Sequence, residues 1–335
     1  MRAMDAPEAG PDPGPRVGSR VVVRHRLEPP DRLTGATLND VVGDVVAADE
    51  SAVVVRTRRG DVRVARALVT AVKEIPPTPA RRGAPHRALS VEDLQRVMVG
   101  AWPAMETEPL GDWLLRASRG FTNRANSVVT TGSPGMPVPA ALDAVERWYA
   151  ARDLPANLTL AAPVAADPLG DEVGAEALRR GYRPRVTTLT LTAPSRQVAA
   201  LAGTRRVELG GSLTEEWFAA YRTYREVDEV AARAVLTGSP AQVFAAVRDP
   251  AGAVAGIARL GLSAAWGGVA AMWVAPHLRR TGLAVTMLAA LAGEAQRAGA
   301  ASLHLQTDVD NTSALALYER CGFERHHAYV NVRRP

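Results

Sequence analysis

The sequence predicts an α/β (α+β) protein in which two similar mixed sheets flanked by helices follow a small β-barrel. Three observations predict it. Short valine-rich runs fill the first part of the chain. Strand and helix patterns alternate through the rest, and a helix-glycine-aromatic-strand pattern occurs twice, 141 residues apart. At 335 residues the chain has room for roughly two domains, or three small ones.

Residues 14–76 read as the barrel. Residues 19–25, 41–47, 52–56 and 61–64 alternate or run with β-branched side chains, and Gly43, Asp49-Glu50 and Arg59-Gly60 punctuate them. Arg58-Arg59-Gly60-Asp61 between two valine runs is a hairpin signal. Residues 77–85, rich in Pro and Arg, form a stiff linker.

Residues 86–195 form the first half. A helix opens at Ser90, strands follow over 112–116 and 125–131, and 139–152 is an amphipathic helix. A strand at 158–160, a helix at 171–180 stopped by Gly181, and a strand at 186–192 complete it. Residues 204–335 form the second half. Helices at 212–224 and 228–236 precede a hairpin of 242–248 with 253–260 around Asp249-Pro250. A strand at 269–275 ends at Pro276, a long apolar helix covers 281–298, and strand 302–307, helix 312–320 and strand 323–332 close the chain. Such alternation implies a sheet with at least one parallel pair.

Composition excludes several classes. The single cysteine, Cys321, allows no disulfide framework and no cysteine metal cluster, and fits a reducing compartment. No run nears the roughly 18 apolar residues of a spanning helix, and residues 1–16 lack a signal-peptide core. A soluble cytoplasmic protein without a membrane partner is expected. The net charge is +5, from 40 basic against 35 acidic residues. Lys73 is the only lysine, and an arginine-dominated, alanine-rich chain accompanies GC-rich coding sequence. A nucleic-acid binder concentrates its cations on one face, whereas the clusters at 56–59 and 179–180 are short and interrupted by acids. Nucleic acid is not the expected partner, and oligomerisation is left open.

Two stretches of the second half carry chemistry. In Val274-Ala-Pro276-His-Leu-Arg279-Arg280-Thr281-Gly282-Leu283-Ala284 a strand stops, a basic turn follows and a long helix begins. Backbone N–H groups converge in such a turn, the helix dipole adds positive potential, and Gly282 and Ala284 let an anion approach the backbone. This suits a pyrophosphate. In Asn311-Thr-Ser-Ala314-Leu-Ala-Leu317-Tyr318-Glu-Arg-Cys-Gly322-Phe323, Asn311 suits a helix N-cap, Ala314, Leu317 and Tyr318 share a face, and Gly322 ends the helix.

Together the stretches resemble the signature of the GCN5-related N-acetyltransferase superfamily. That signature joins Arg/Gln-x-x-Gly-x-Gly/Ala, here Arg279, Gly282 and Ala284, to Asn-x-x-Ala-x-x-Leu-Tyr-x-x-x-Gly-Phe, here complete from Asn311 to Phe323. The resemblance covers the whole second half in order. It implies transfer of an acetyl group from acetyl-CoA, as co-substrate and without a metal, to a primary amine. By the family pattern, the N–H groups of Arg280, Thr281, Gly282, Leu283 and Ala284, with Arg279, hold the pyrophosphate. Strand Met272-Trp273-Val274 splays from 303–305 to admit the pantetheine arm, and an N–H there polarises the thioester carbonyl. Asn311 binds near the same arm, and Tyr318 acts as general acid to the departing thiolate.

The strand 268–275 has no titratable group to serve as base. Asp228 and Glu229, with Glu226, are candidates for base or ammonium recognition, against a solvated-loop reading. His304 is a further candidate, against a packed histidine. The first half resembles a degenerate copy: at the 141-residue offset Ala177 stands for Tyr318 and Gly170 for Asn311, and prolines in 132–139 remove backbone donors. Its residues 121–128, after 111–116, resemble an element of tandem actinobacterial-type acetyltransferases, which also carry an SH3-like N-terminal barrel, as 40–43 through 73–77 suggests. Arg124 and Asn126 read two ways, as cleft lining or as turn structure. Two other functions stand beside the enzyme: a non-catalytic acyl-CoA-binding sensor or scaffold, and a nucleic-acid or chromatin-associated module.

Overall fold

Alternating valines build the N-terminal sheet. In a computed structural model of the chain, residues 15, 17–30, 36–57, 60–75, 83–203 and 205–335 are described, and the chain divides into two units, Met1–Pro77 and Thr78–Pro335. The first unit holds β1 (Arg20–Arg26), β2 (Leu38–Ala48), β3 (Ala52–Thr57), β4 (Gly60–Ala65) and β5 (Val69–Glu74). They form an antiparallel sheet in the order β4-β3-β2-β1-β5. Successive strand residues point to opposite faces, so Val21 and Val23 meet Val41, Val45, Val53, Val55 and Val64 in one core. Gly43 permits a close strand crossing, because a Cβ there would lie 2.0 Å from the carbonyl oxygen of Arg56. The hairpin read at 58–61 turns between the register partners Thr57 and Gly60. Residues 58–59, residue 76 and residues 77–82 of the expected linker lie outside the described residues.

The second unit begins with α1 (Val91–Ala101), β6 (Glu106–Leu110), β7 (Trp113–Ala117), β8 (Val128–Val129), α2 (Val138–Ala150), β9 (Asn157–Pro163), α3 (Glu172–Arg179) and β10 (Arg183–Pro194). A short α4 (Ser195–Ala199) leads to β11 (Glu208–Gly210), α5 (Glu215–Arg222), α6 (Glu229–Thr237), β12 (Ala241–Arg248), β13 (Val254–Ser263) and β14 (Trp266–Val274). Then come α7 (Leu283–Arg297), β15 (Ser302–Asp308), α8 (Thr312–Arg320) and β16 (Glu324–Arg333). Oxygen-bearing side chains cap the helices: Ser90, Asp171, Thr214, Asp228 and Asn311 each accept from a first-turn N–H of α1, α3, α5, α6 and α8. Asn311 takes the cap place expected of it, and α5 begins after Thr214 rather than at 212. The strand expected over 125–131 shrinks to β8. Asn126 draws the preceding segment into a turn instead, accepting from the amides of Ser118 and Gly120 and donating to the carbonyls of Phe121 and Thr122.

Among the described residues, the eleven strands of this unit join one sheet, in the order β11-β12-β13-β14-β15-β10-β16-β9-β8-β7-β6. Each half contains one parallel pair, β8 with β9 and β14 with β15. The order shows that the halves exchange their last strands. β10, from the first half, pairs with β15 of the second, and β16, from the second, pairs with β9 of the first. The cores follow the exchange. Leu189, Leu191 and Ala193 of β10 are buried with Leu283, Met287, Leu288 and Leu291 of α7, while Val330 and Val332 of β16 are buried with Leu142, Val145 and Tyr149 of α2. Burying a Leu or Val side chain is worth roughly 1.5–3 kcal/mol, so neither half retains its core without the other. Among the described residues, no helix is long and apolar enough to cross a membrane.

Candidate active site

The ladder between β14 and β15 is short. Its register runs from Trp266 opposite Ser302 to Val269 opposite Leu305 and stops there. The strands part beyond Val269 and Leu305, later along β15 than the 303–305 segment named from the sequence, which is still paired. On its other edge β14 carries a bulge: the register with β13 shifts between Ile257 and Arg259, and Ala271 takes a positive φ of 54°. Ala270 to Val274 thus has no ladder partner on the β15 side among the described residues.

A cleft of about 1100 Å³ occupies the parting. Its lining includes Met272, Trp273 and Val274 of β14, the turn residues Arg279, Arg280 and Gly282, the first residues of α7 (Leu283 and Ala284), and Asn311 and Tyr318. Thr281 does not line it; its hydroxyl donates to the carbonyl of Leu278 at 2.7 Å and braces the turn. Gly282 stands at the α7 N-cap with φ 87°, and no side chain caps the helix. Only glycine takes that conformation without strain, and the first-turn N–H groups of an uncapped helix are left for an anion. Arg279 donates from Nε to the carbonyl of Val274 at 3.2 Å, and neither Arg279 nor Arg280 forms an ion pair among the described residues.

Tyr318 lies on α8, whose N-cap Asn311 accepts from the Ala314 amide at 3.2 Å. Asn311 is thereby committed to the helix terminus while bordering the cleft. Tyr318 is buried among Leu315, Leu317, Cys321 and Phe323, and that burial pushes its hydroxyl up to about 12. A phenol so shifted keeps its proton throughout the neutral range.

The other wall is aromatic and basic. Trp273 stacks on Tyr224 with ring centroids 5.9 Å apart and planes 3° apart, and the Tyr224 hydroxyl is buried without a partner in the described residues. Arg124 lies over the Trp102 ring, 5.2 Å from its centroid, and donates from Nη1 to Oε1 of Gln306 on β15. His304, two residues earlier, is buried against Gly268; a Cβ at that glycine would come within 2.6 Å of the imidazole, so the close approach requires glycine. Burial, with Arg124 nearby, brings His304 down to about 3 and keeps it neutral.

Asp228 and Glu229 are outside the cleft lining. Asp228 caps α6 by accepting from the Ala231 amide at 2.9 Å and lies 3.7 Å from Arg119, while Glu229 is ion-paired with Arg222. Glu226 is outside the lining as well. Arg124 lines the cleft, and Asn126 is the turn scaffold described above. Tyr224, Trp102 and Gln306 were not singled out by the sequence. Only the fold brings these three elements, far apart in the chain, to one wall.

Comparisons with known proteins agree with this architecture. A family model described as the probable histone acetyltransferase Rv0428c C-terminal matches residues 90–332, and one described as the Rv0428c N-terminal Sm-like domain matches residues 15–73. The chain is 29% identical over 317 residues to the "Probable histone acetyltransferase Rv0428c" of Mycobacterium tuberculosis, covering 93% of this chain and 94% of that protein. Among solved structures, a GCN5-related N-acetyltransferase from Kribbella flavida is similar at TM-score 0.52 and 16% identity, over 73% of this chain and 95% of its own. A tandem GNAT protein from the clavulanic acid biosynthesis pathway is similar at TM-score 0.51 and 16% identity, over 76% of this chain and 90% of its own. At such identities the likeness is one of fold, and it extends over both halves of the large sheet.

Proposed function

Because the chain belongs to the Rv0428c acetyltransferase family, we propose that its cleft takes acetyl-CoA and transfers the acetyl group to an amine. One observation carries this reading: the parted strands, the uncapped α7 N-terminus and Tyr318 border the same cleft. The residues suit the co-substrate. The orphan N–H groups after Gly282 and the unpaired guanidinium groups of Arg279 and Arg280 fit a pyrophosphate, and the open edge of β14 fits an amide-bearing arm that adds like a strand.

The bound co-substrate supplies an acetyl thioester. The chain's own groups then have three tasks. An open N–H of β14 near Met272 to Val274 donates to the thioester carbonyl oxygen, where negative charge develops as the amine attacks. The amine nitrogen forms the new C–N bond as the C–S bond breaks. Tyr318 gives its proton to the departing sulfur, worth roughly 10²–10⁴-fold. The rest of the acceleration is orientation, for which about 7–11 kcal/mol is available in principle. The amine's proton passes to water in the cleft, since β14 offers no carboxylate, and water returns a proton to the Tyr318 phenolate, so that the net products are the amide and the CoA thiol.

Calorimetry with acetyl-CoA and an assay of CoA thiol release against amine panels test the reading. It predicts binding and acceptor-dependent release. Binding with no release for any amine would favour the non-catalytic acyl-CoA sensor, and no binding would discard both.

A further inference from the structure

Beside the cleft, the fold buries positive charge without a negative side chain to answer it. Arg116 is 5% exposed and Arg259 0%, and no aspartate or glutamate is among the buried side chains described. Buried charge is costly unless paired or hydrogen-bonded. Arg259 is closed off by neutral acceptors: its three nitrogens donate to the carbonyls of Leu236 and Ala101 and to the hydroxyl of Ser239 at 2.7, 2.8 and 2.7 Å. Arg116 is not closed off. Its Nε and Nη2 donate to the carbonyl and hydroxyl of Ser127 at 2.8 and 2.9 Å, and Nη1 has no partner among the described residues.

Arg116 borders a hollow of about 20 Å³ that Arg124, His304 and Gln306 also line. His304 is 3% exposed and, among the described residues, has no hydrogen-bond partner at either ring nitrogen. Being neutral, it can donate one N–H while leaving the charge of the two arginines unanswered. The hollow shares Trp102, Arg124, Gln306 and Tyr329 with the cleft, so it is a recess of the cleft wall. A space of that size admits one water-sized group, which is also the size of a single carboxylate oxygen. The cleft carries the same sign. Apart from Arg279 and Arg280, which the pyrophosphate takes in the reading above, Arg124, Arg225 and Arg320 line it against one carboxylate, Asp308, which the Thr188 hydroxyl engages at 3.0 Å.

We propose that the acceptor is an amine that also bears a carboxylate, such as an amino acid, and that Arg124 receives this carboxylate at the mouth of the hollow, one oxygen facing Arg116 and His304. The proposal rests on the acetyltransferase reading above and names the substrate class of that site. An acceptor with positive charge alone, such as a polyamine or a lysine side chain, would enter a cleft of its own sign.

The test pairs free α- and ω-amino acids with their carboxamides in a thiol-release assay with acetyl-CoA, alongside spermidine and a lysine peptide blocked at both ends. The expected result is a preference for acid over amide of about 10- to 100-fold in kcat/KM, carried by KM. Arg124→Gln erases this preference, Arg124→Lys retains part of it, and acetyl-CoA affinity is equal in all three proteins, which a folding defect would not allow. Equal turnover of acid and amide, or better turnover of spermidine or the blocked peptide, overturns the carboxylate site and leaves the transferase reading standing. If acetyl-CoA binds and nothing turns over, thermal shifts with CoA and N-acetyl amino acids against N-acetyl amides decide, and equal shifts overturn the site. Failure to bind acetyl-CoA overturns the transferase reading, and the carboxylate site falls with it.

Discussion

Leu305 of β15 has Val269 of β14 as its register partner on one side and Leu191 of β10 on the other. The first pairing is the last before the strands part to open the cleft. The second ties the cleft to a strand supplied by the other half of the sheet. The half that carries the site motifs is therefore completed by the half that lacks them.

Leu191→Ala should consequently destabilise the unit Thr78–Pro335 as a whole. The side chain is fully buried, and truncating such a leucine costs about 2–5 kcal/mol. Calorimetric and denaturant unfolding should show one transition for this unit, moved to lower temperature and lower denaturant. Two separate transitions, with only the first half affected, would contradict a shared core.

Tyr318→Phe should lower kcat and kcat/KM together by about 10²-fold or more and leave acetyl-CoA affinity nearly unchanged, as for a group that acts on the departing thiolate. Burial holds the Tyr318 hydroxyl up at about 12. The acid form is lost only as pH rises toward that value, so an alkaline fall in rate well below it belongs to another group. Steady-state kinetics across pH checks both statements, and equal turnover of the two proteins removes the acid assignment.

Much of this was legible in the residues. The helix start at Ser90, the cap at Asn311 and the two motifs flanking α7 and α8 are local patterns, and local patterns fix local structure. What was not legible is non-local. The threonine-rich run of β10 predicts a strand but names no partner, so the exchange with β16 could not be read. Asn126 lay in a run read as strand, and its four side-chain bonds make a turn there instead. Asp228 and Glu229 looked free in the sequence because capping and ion pairing depend on where α5 ends and α6 begins. The wall formed by Trp102, Arg124 and Gln306 draws on three distant segments.

Gly282→Glu should lower CoA affinity at least about 100-fold by setting charge and bulk against the phosphate site. The residue also leaves the φ of 87° that glycine accepts, so Arg280→Gln serves as a second variant, losing charge without added strain, since Arg280 already holds a φ of 65°. Calorimetry with CoA should show a smaller loss there. Unchanged affinity in both would remove the anion site.

His304→Gln should flatten the acid side of the stability profile. The folded chain holds His304 at about 3 against an ordinary 6.5, so below 6.5 the unfolded chain binds a proton that the folded chain resists. Stability from this group is complete above 6.5 and is lost as pH falls toward 3. His327, also lowered to about 3, keeps part of the same dependence in the variant. Urea midpoints at about pH 7 and about pH 4.5 measure it; an equal fall in both proteins would contradict the assignment.

The most direct measurement is acceptor-dependent release of CoA thiol from acetyl-CoA, run with the whole chain and with Tyr318→Phe. The account predicts release with an amine acceptor, slowed in the variant although acetyl-CoA binds equally well to both. Acetyl-CoA bound with no thiol released for any amine, or release that is indifferent to Tyr318, would contradict it.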